Sequence, residues 1–377
     1  MPTEALPDTA EPEKKTLSSS HAQANNASRR ILRLALGTAL SLAFSQIAAW
    51  QLSFLAPVFT LVLLATPLPA PTLKSSIKLV FALLLPLVFG ALVLLPFLEH
   101  LRPVGVLLVA LALFYSFYFT SCGGAAVLGT FMTIGLTLVV TIGSVSIDML
   151  SAVAQGVALG AIFGLIFVSI AHALLPDLRA GPASARANAP TPAKPEPKEA
   201  RRKALRALLI TFPMTFLFLL SNASTSYVAV MIKVASMGQQ ASVDSSREMG
   251  RSMLESTLWG GLGAVIAWQL LSIWPALLLY SLLIGLAGLL FGPRIFQGQG
   301  MHPQFSMWSY AYLTMIVVLA PALLDSQSGS AAGAAFYSRL LLFVVIAVYG
   351  SIAVAVFDAF WPEQSSTEHR KGVVEPR

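Results

Sequence analysis

Apolar residues in this sequence arrive in blocks about as long as a bilayer is thick. The runs Ile31 to Trp50, Ile77 to Phe97, Val104 to Thr120 and Leu340 to Phe357 each approach the roughly 20 residues a helix needs to cross a hydrocarbon core of about 30 Å. Only short polar seams separate them. With 56% of the 377 residues hydrophobic and 11% charged, and a mean hydropathy of +0.75, the chain reads as a polytopic membrane protein. Backbone inside lipid must satisfy its own hydrogen bonds, so the expected class is all-α. About twelve spans are expected, near 31–50, 52–67, 77–97, 103–120, 124–143, 150–174, 204–220, 224–237, 252–273, 275–291, 306–323 and 335–360.

Five stretches follow from this pattern. Residues 1–28 are rich in Pro, Ser and acids and lack an apolar centre, which predicts a disordered tail and leaves the first span to direct insertion. Residues 29–175 and 202–361 form two membrane halves of six spans each. Residues 176–201 form a basic Pro/Ala-rich linker, and 362–377 a second tail. If alternate loops lie on alternate sides, Arg29, Arg30, Arg33, Lys74, Lys78, the linker, Arg247, Arg251, Arg294, Arg370 and Lys371 share one side. The positive-inside rule makes that side cytoplasmic, with both termini on it. The net charge of +7 is thereby read as topology, and nucleic acid is not an expected partner. Cys122 is the one cysteine, so the chain forms no internal disulfide.

The two halves repeat. A shift of 173 residues pairs Arg29 with Arg202, Arg30 with Lys203, Arg33 with Arg206, Lys74 with Arg247, Lys78 with Arg251 and Gly90 with Gly263. Orientation alone would place basic residues in matching loops, but not at one fixed offset. Two six-span units in parallel orientation are expected, an arrangement used by some transporters.

Each half opens on a basic cluster (Arg29-Arg-Ile-Leu-Arg; Arg202-Lys-Ala-Leu-Arg), followed by a short second span that begins Ser-Phe-Leu-Ala-Pro or Ser-Tyr-Val-Ala-Val. A basic loop then leads into a third span (Lys74-Ser-Ser-Ile-Lys; Arg247-Glu-Met-Gly-Arg). This pattern resembles the fusaric-acid-resistance and aromatic-acid-exporter superfamily of bacterial inner-membrane proteins. The resemblance implies efflux of small organic, often aromatic, acids from the inner membrane, commonly beside a periplasmic adaptor protein. The chain departs from better-known members in having only a linker where they carry a large soluble domain.

The second spans carry the sharpest functional signal. Leu52 to Thr66 contains Pro57 and stops at Pro67-Leu-Pro-Ala-Pro71, and Tyr227 to Met237 is about 16 Å of helix. Short or Pro-interrupted spans at matching positions of two repeats point to a transporter's central site, because unwound backbone is tolerated only where protein or a cavity surrounds it. Lys233 lies on the second of these, and the 173 shift matches it to Thr60. An intramembrane lysine costs at least about 2.5–3.5 kcal/mol on insertion scales. It is read either as a counter-charge for a carboxylate substrate or as a side chain snorkelling to the interface near Gly238. The substrate-binding set expected around these spans is Lys233, Thr60, Pro57 and Tyr227, with Arg339 and its hand-aligned counterpart Gln155 either at an exit path or, for Arg339, at the outer headgroups.

Two carboxylates are candidates for proton coupling. Glu255, four residues after Arg251, could instead form a helix-surface ion pair with it, and Asp358 could instead be interfacial. Lys74, Lys78, Arg247 and Arg251 form a basic rim that would concentrate anions. The aromatic runs Leu113 to Thr120 and Phe305 to Tyr312 suit an interfacial belt or a stacking surface at an entrance. Ala152, Gly156, Gly160 and Gly164 form a small-residue stripe for close helix packing, within a protomer or between protomers of a homo-oligomer.

No Gly-x-x-x-x-Gly-Lys-[Ser/Thr] loop is present to bind nucleotide phosphates, and the five histidines and Cys122 have no metal-site spacing. No cofactor, no metal and no enzymatic activity are expected, since no acid-base cluster marks a membrane face. The expected function is proton-coupled secondary efflux of small organic anions. A major-facilitator carrier, an anion channel, a membrane scaffold and a membrane transferase are the alternatives.

Overall fold

The computed structural model describes residues 10–50, 52–66, 69–143, 147–176, 196–220, 228–243, 249–297, 300–327 and 332–361. The fold is all-α, with twelve helices among these residues. In the first half they are α1 (Ala10–Ala48), α2 (Leu55–Leu64), α3 (Leu73–His100), α4 (Arg102–Ser121), α5 (Ala126–Gly143) and α6 (Ile147–Leu174). In the second they are α7 (Pro197–Leu220), α8 (Val228–Val243), α9 (Met249–Ile273), α10 (Leu277–Ile295), α11 (Phe305–Gln327) and α12 (Ala332–Phe360). A two-residue antiparallel pair, β1 (Phe296–Gln297) and β2 (Gly300–Met301), joins α10 to α11. Each expected span falls on a helix, in order. The difference lies at the start, where α1 runs back to Ala10 through a stretch expected as disordered tail. Its Ala, Glu, Lys and Gln residues are good helix formers that extend a helix already nucleated by its apolar part.

Ten of the twelve helices are long and apolar enough to cross a membrane. The two that are not are α2 and α8, the second helix of each half. α2 has 10 residues, about 15 Å, which is half the depth of the hydrocarbon core. Both start at equivalent positions under the sequence repeat, since 228 − 55 = 173. α2 stops because Pro69 and Pro71 follow it within two turns. The interior consists of α2, α8, α5 and α11. α2 is buried over Leu55–Leu61, α8 over Val228–Ser242, and the apolar windows of α5 and α11 are far more buried than those of the other eight long helices.

Packing between the halves is reciprocal. α1 packs on α10 and α4 packs on α7, so the first helix of each half meets the fourth of the other. Likewise α2 meets α11, and α8 meets α5. Within each half the first helix packs on the second, and the third on the fifth. Contacts between ends fix a common direction. Arg29 Nη1 donates to Pro176 O at 2.8 Å, Ser121 Oγ to Ser242 O at 3.2 Å, and Arg202 to Asp358. These bring the Arg29 turn of α1, the start of α7 and the ends of α4, α6, α8 and α12 to one basic end of the bundle. Arg102, Glu99 and Asp148 lie toward the far end.

α3 accommodates two prolines. Pro86 sits inside it, and a π turn over Gly90–Leu94 precedes Pro96, with Leu95 N–H bonded to Gly90 O. The wider turn absorbs the missing donor and the ring clash that Pro96 would impose on a regular α-helix. A Cβ on Gly90 would lie 2.7 Å from Val139 Cγ1, so that turn is held close against α5.

Candidate functional site around the two short helices

Lys233 is 3% exposed. Its Nζ donates to Thr314 Oγ1 at 2.9 Å, and Thr314 in turn donates to Tyr310 O at 2.8 Å. Thr314 is the central residue of the 19-residue apolar window Phe305–Leu323 of α11. The ammonium therefore reaches across the interior to the middle of a neighbouring helix and does not snorkel to an interface. No ion pair to Lys233 occurs among the described residues. A buried charge with one hydroxyl partner among the described residues is costly to fold around.

Polar residues continue along α8 toward the basic end. Ser236 Oγ donates to Lys233 O at 2.7 Å. Gln239 Nε2 donates to Thr133 Oγ1 at 2.6 Å, which lies 2.9 Å from Ser116 Oγ. Gln240 Nε2 donates to Ser252 Oγ at 3.2 Å. Lys233, Ser236, Gln239, Gln240 and Ser242 are all buried. The sequence reading singled out only Lys233 from this group. The signal it left unused is the density of Ser and Gln along a helix that has no lipid-facing side. Gly238 lets α8 approach closely, because a Cβ there would collide with Thr211 Oγ1 and Phe117.

Thr60, the repeat counterpart of Lys233, is also fully buried. Its Oγ1 lies 2.8 Å from Ala56 O, 3.0 Å from Ser41 Oγ and 3.3 Å from Gly164 O, acceptors among which its one hydroxyl proton is shared. Its hydroxyl ties α2 to α1 and α6. Pro57 is buried in the first turns of α2, and Tyr227 lies outside the described residues. The small-residue stripe of α6 seats α2: a Cβ on Gly160 would lie 2.8 Å from Leu55 Cβ, and one on Gly164 would lie 2.9 Å from Phe59 Cβ. The stripe thus works within the protomer. Gly160 is near the middle of α6, so α2 begins at about half depth and occupies only the basic-end half of the bundle.

The chain reversal before α2 is a second polar feature that the sequence reading missed. Ala49 (φ 49°) and Leu52 (φ 61°) adopt left-handed backbone, which is strained for residues with a Cβ by about 1–3 kcal/mol each. Gln46 Nε2, Trp50 Nε1 and Ser53 Oγ are buried there with no hydrogen-bond partner among the described residues. Trp50 stacks on Phe163 with centroids 5.1 Å apart, and Phe44 packs on Phe163 and Phe167. Three buried donors beside an aromatic cluster present chemistry suited to a ligand that carries acceptors and an aromatic ring.

The remaining candidates separate. Arg339 is 7% exposed, so it faces the bundle and not the headgroups. Gln155 is exposed on the outer side of α6, so the structure does not bring the two together. Glu255 accepts from Arg251 Nε at 2.6 Å, with Arg251 78% exposed. Asp358 pairs with Arg202 and Arg206, each at 3.2 Å, and Arg206 is buried. Both acids therefore belong to ion pairs at the basic end. Lys74 and Lys78 are exposed there with Arg251, and Arg247 lies outside the described residues. Trp308 packs with Trp259 and Phe291 and carries Arg294 over its ring at 4.7 Å. No cluster of His, Cys, Asp and Glu fit for a metal occurs among the described residues.

This fold and interior define a polytopic α-helical membrane protein with a cation buried at mid-depth. Residues 30–171, nearly the whole first half, match a membrane-protein family described as "Protein of unknown function (DUF2955)". No curated protein and no solved structure matches the chain.

Proposed function

We propose that this chain is a secondary transporter that exports small organic anions, aromatic acids foremost, across a bacterial inner membrane, with the basic end and both termini in the cytoplasm. The observation that carries the reading is Lys233: a buried ammonium at mid-depth, on a helix too short to span, with a single hydroxyl partner among the described residues. A carboxylate entering beside it would supply the missing counter-charge. The donors and rings at the α1–α2 reversal suit the same class of ligand. The basic rim at Lys74, Lys78 and Arg251 raises the local concentration of anions. A periplasmic adaptor and self-association fit this role.

The drive is open to a second reading, favoured by the positions of the two acids. Glu255 and Asp358 sit in ion pairs at the basic end, away from Lys233. With a fixed lysine, the loaded site is neutral and the empty site positive, so an inside-negative potential favours the return of the empty carrier. Each exported anion gains about 2.3 kcal/mol per 100 mV. The test is flux in reconstituted vesicles against a panel of aromatic and aliphatic acids, with ΔpH and a potassium diffusion potential imposed separately. The expected result is acid export that is lost in Lys233→Gln; unchanged export in that variant would overturn the counter-charge reading. Drive by ΔpH alone, abolished in Glu255→Gln or Asp358→Asn, would restore proton coupling.

A further inference from the structure

The contact between the third and sixth helices differs in the two halves. In the second half α9 and α12 touch: Ser351 Oγ donates to Gly250 O at 2.7 Å, and a Cβ on Gly250 would stand 3.3 Å from Ser351 O. In the first half the position equivalent to Gly250 is Ile77, since 250 − 173 = 77. Ile77 lines a crevice of about 710 Å³ that lies between α3 and α6. The crevice walls are almost wholly aliphatic, with Ser76 and Ser169 as the hydroxyls, and Ser169 already donates to Leu165 O at 2.9 Å.

Its length and its mouth indicate the occupant. The α3 wall runs from Leu73 to Leu84, about 16 Å of helix, which matches the depth of one leaflet, about half of the 30 Å core. The crevice begins at the basic end, at Pro71 and Leu73. Lys74 and Lys78 stand exposed on α3 there, and Arg29 is fixed at the foot of α6 by its bond to Pro176 O. The acids of these two helices, Glu99 and Asp148, lie at their far ends. The mouth is therefore flanked by positive charge alone among the described residues of α3 and α6.

We propose that this crevice holds one acyl chain of an anionic phospholipid from the leaflet at the basic end, with Lys74, Lys78 and Arg29 around the phosphate. Polybasic positions at a membrane surface attract anionic headgroups, and an aliphatic slot of one-leaflet depth excludes water while accepting a chain. The bound lipid would fill the gap that α9 and α12 close by direct contact.

The experiment uses the full chain in nanodiscs with a photoreactive phosphatidylglycerol, or the matching phosphatidylcholine, carrying the reactive group mid-chain. Cross-links are mapped by mass spectrometry. The expected sites are the crevice walls near Val80 and Ile166, with phosphatidylglycerol preferred. Lys74→Gln and Lys78→Gln should each reduce that preference by about fivefold. Ser169→Trp, which fills the slot, should abolish labelling while the protein stays monodisperse. Equal labelling by the two lipids that the variants do not alter, or labels spread evenly over all lipid-facing helices, would overturn the proposal. So would cross-links between two copies of the chain at Ile77, which would make the occupant a second protomer.

Discussion

At the scale of single residues, variants of Lys233 and Thr314 test whether the buried charge serves the fold or the proposed function. Lys233→Met should keep or raise the thermal midpoint in detergent, by the equivalent of about 1 kcal/mol or more, because it removes a buried charge and preserves the side-chain shape. Thr314→Val should lower it by about 1–3 kcal/mol, since it takes the hydroxyl from the ammonium. Adding Lys233→Met to Thr314→Val should recover that loss, and the double-mutant cycle gives the coupling. Additive losses from both changes would show that Lys233 serves the fold. Lys233 was conspicuous in the sequence as a lone charge in an apolar run, whereas Thr314 was hidden among the aromatic residues of another span. Only the packing of α8 against α11 brings them together.

At the scale of elements, the seam between α2 and α6 and the clamp between α7 and α12 decide stability. Gly164→Ala pushes a methyl group into Phe59 and Ala56 O and should cost about 1–3 kcal/mol, read as a lowered thermal midpoint. Gly123→Ala is the contrasting change. Nothing lies within 4 Å of a Cβ there, but φ is +90°, so its effect comes from backbone strain alone. Asp358→Asn should cost roughly 2 kcal/mol, less than the about 3–5 kcal/mol of a fully buried pair, because Asp358 is 21% exposed. A loss of export in Asp358→Asn without loss of stability would instead give this carboxylate a role in transport. The shortness of the second spans was legible from Pro57, the Pro67–Pro71 run and the limited apolar length after Tyr227. Their burial was not, since a short apolar run looks the same whether lipid or protein surrounds it.

At the scale of the whole molecule, the basic end gives a direct test of orientation. Cys122 is exposed in the turn between α4 and α5, close to the end that carries Lys74 and Arg202. A membrane-impermeant maleimide should label it in inverted vesicles and leave it unlabelled in intact spheroplasts. Labelling should disappear in Cys122→Ser, and Leu101→Cys on that background, placed at the exposed far end, should show the opposite pattern. Reversed labelling would invert the proposed topology and with it the proposed direction of export.

Periodic apolar length, basic seams and the offset of 173 residues determined the class, the order of the helices and the element on which the buried charge sits. These are local or pairwise properties of the chain, and lipid as a solvent leaves few other ways to satisfy its backbone. The tertiary structure decided which helices are interior, that Lys233 points inward to α11, that Arg339 is buried while Gln155 faces outward, and that the repeat is broken between α3 and α6. Each of these depends on which faces meet across the bundle, and that is set by close approaches such as Gly238 on Thr211 or Gly164 on Phe59 between residues far apart in the chain.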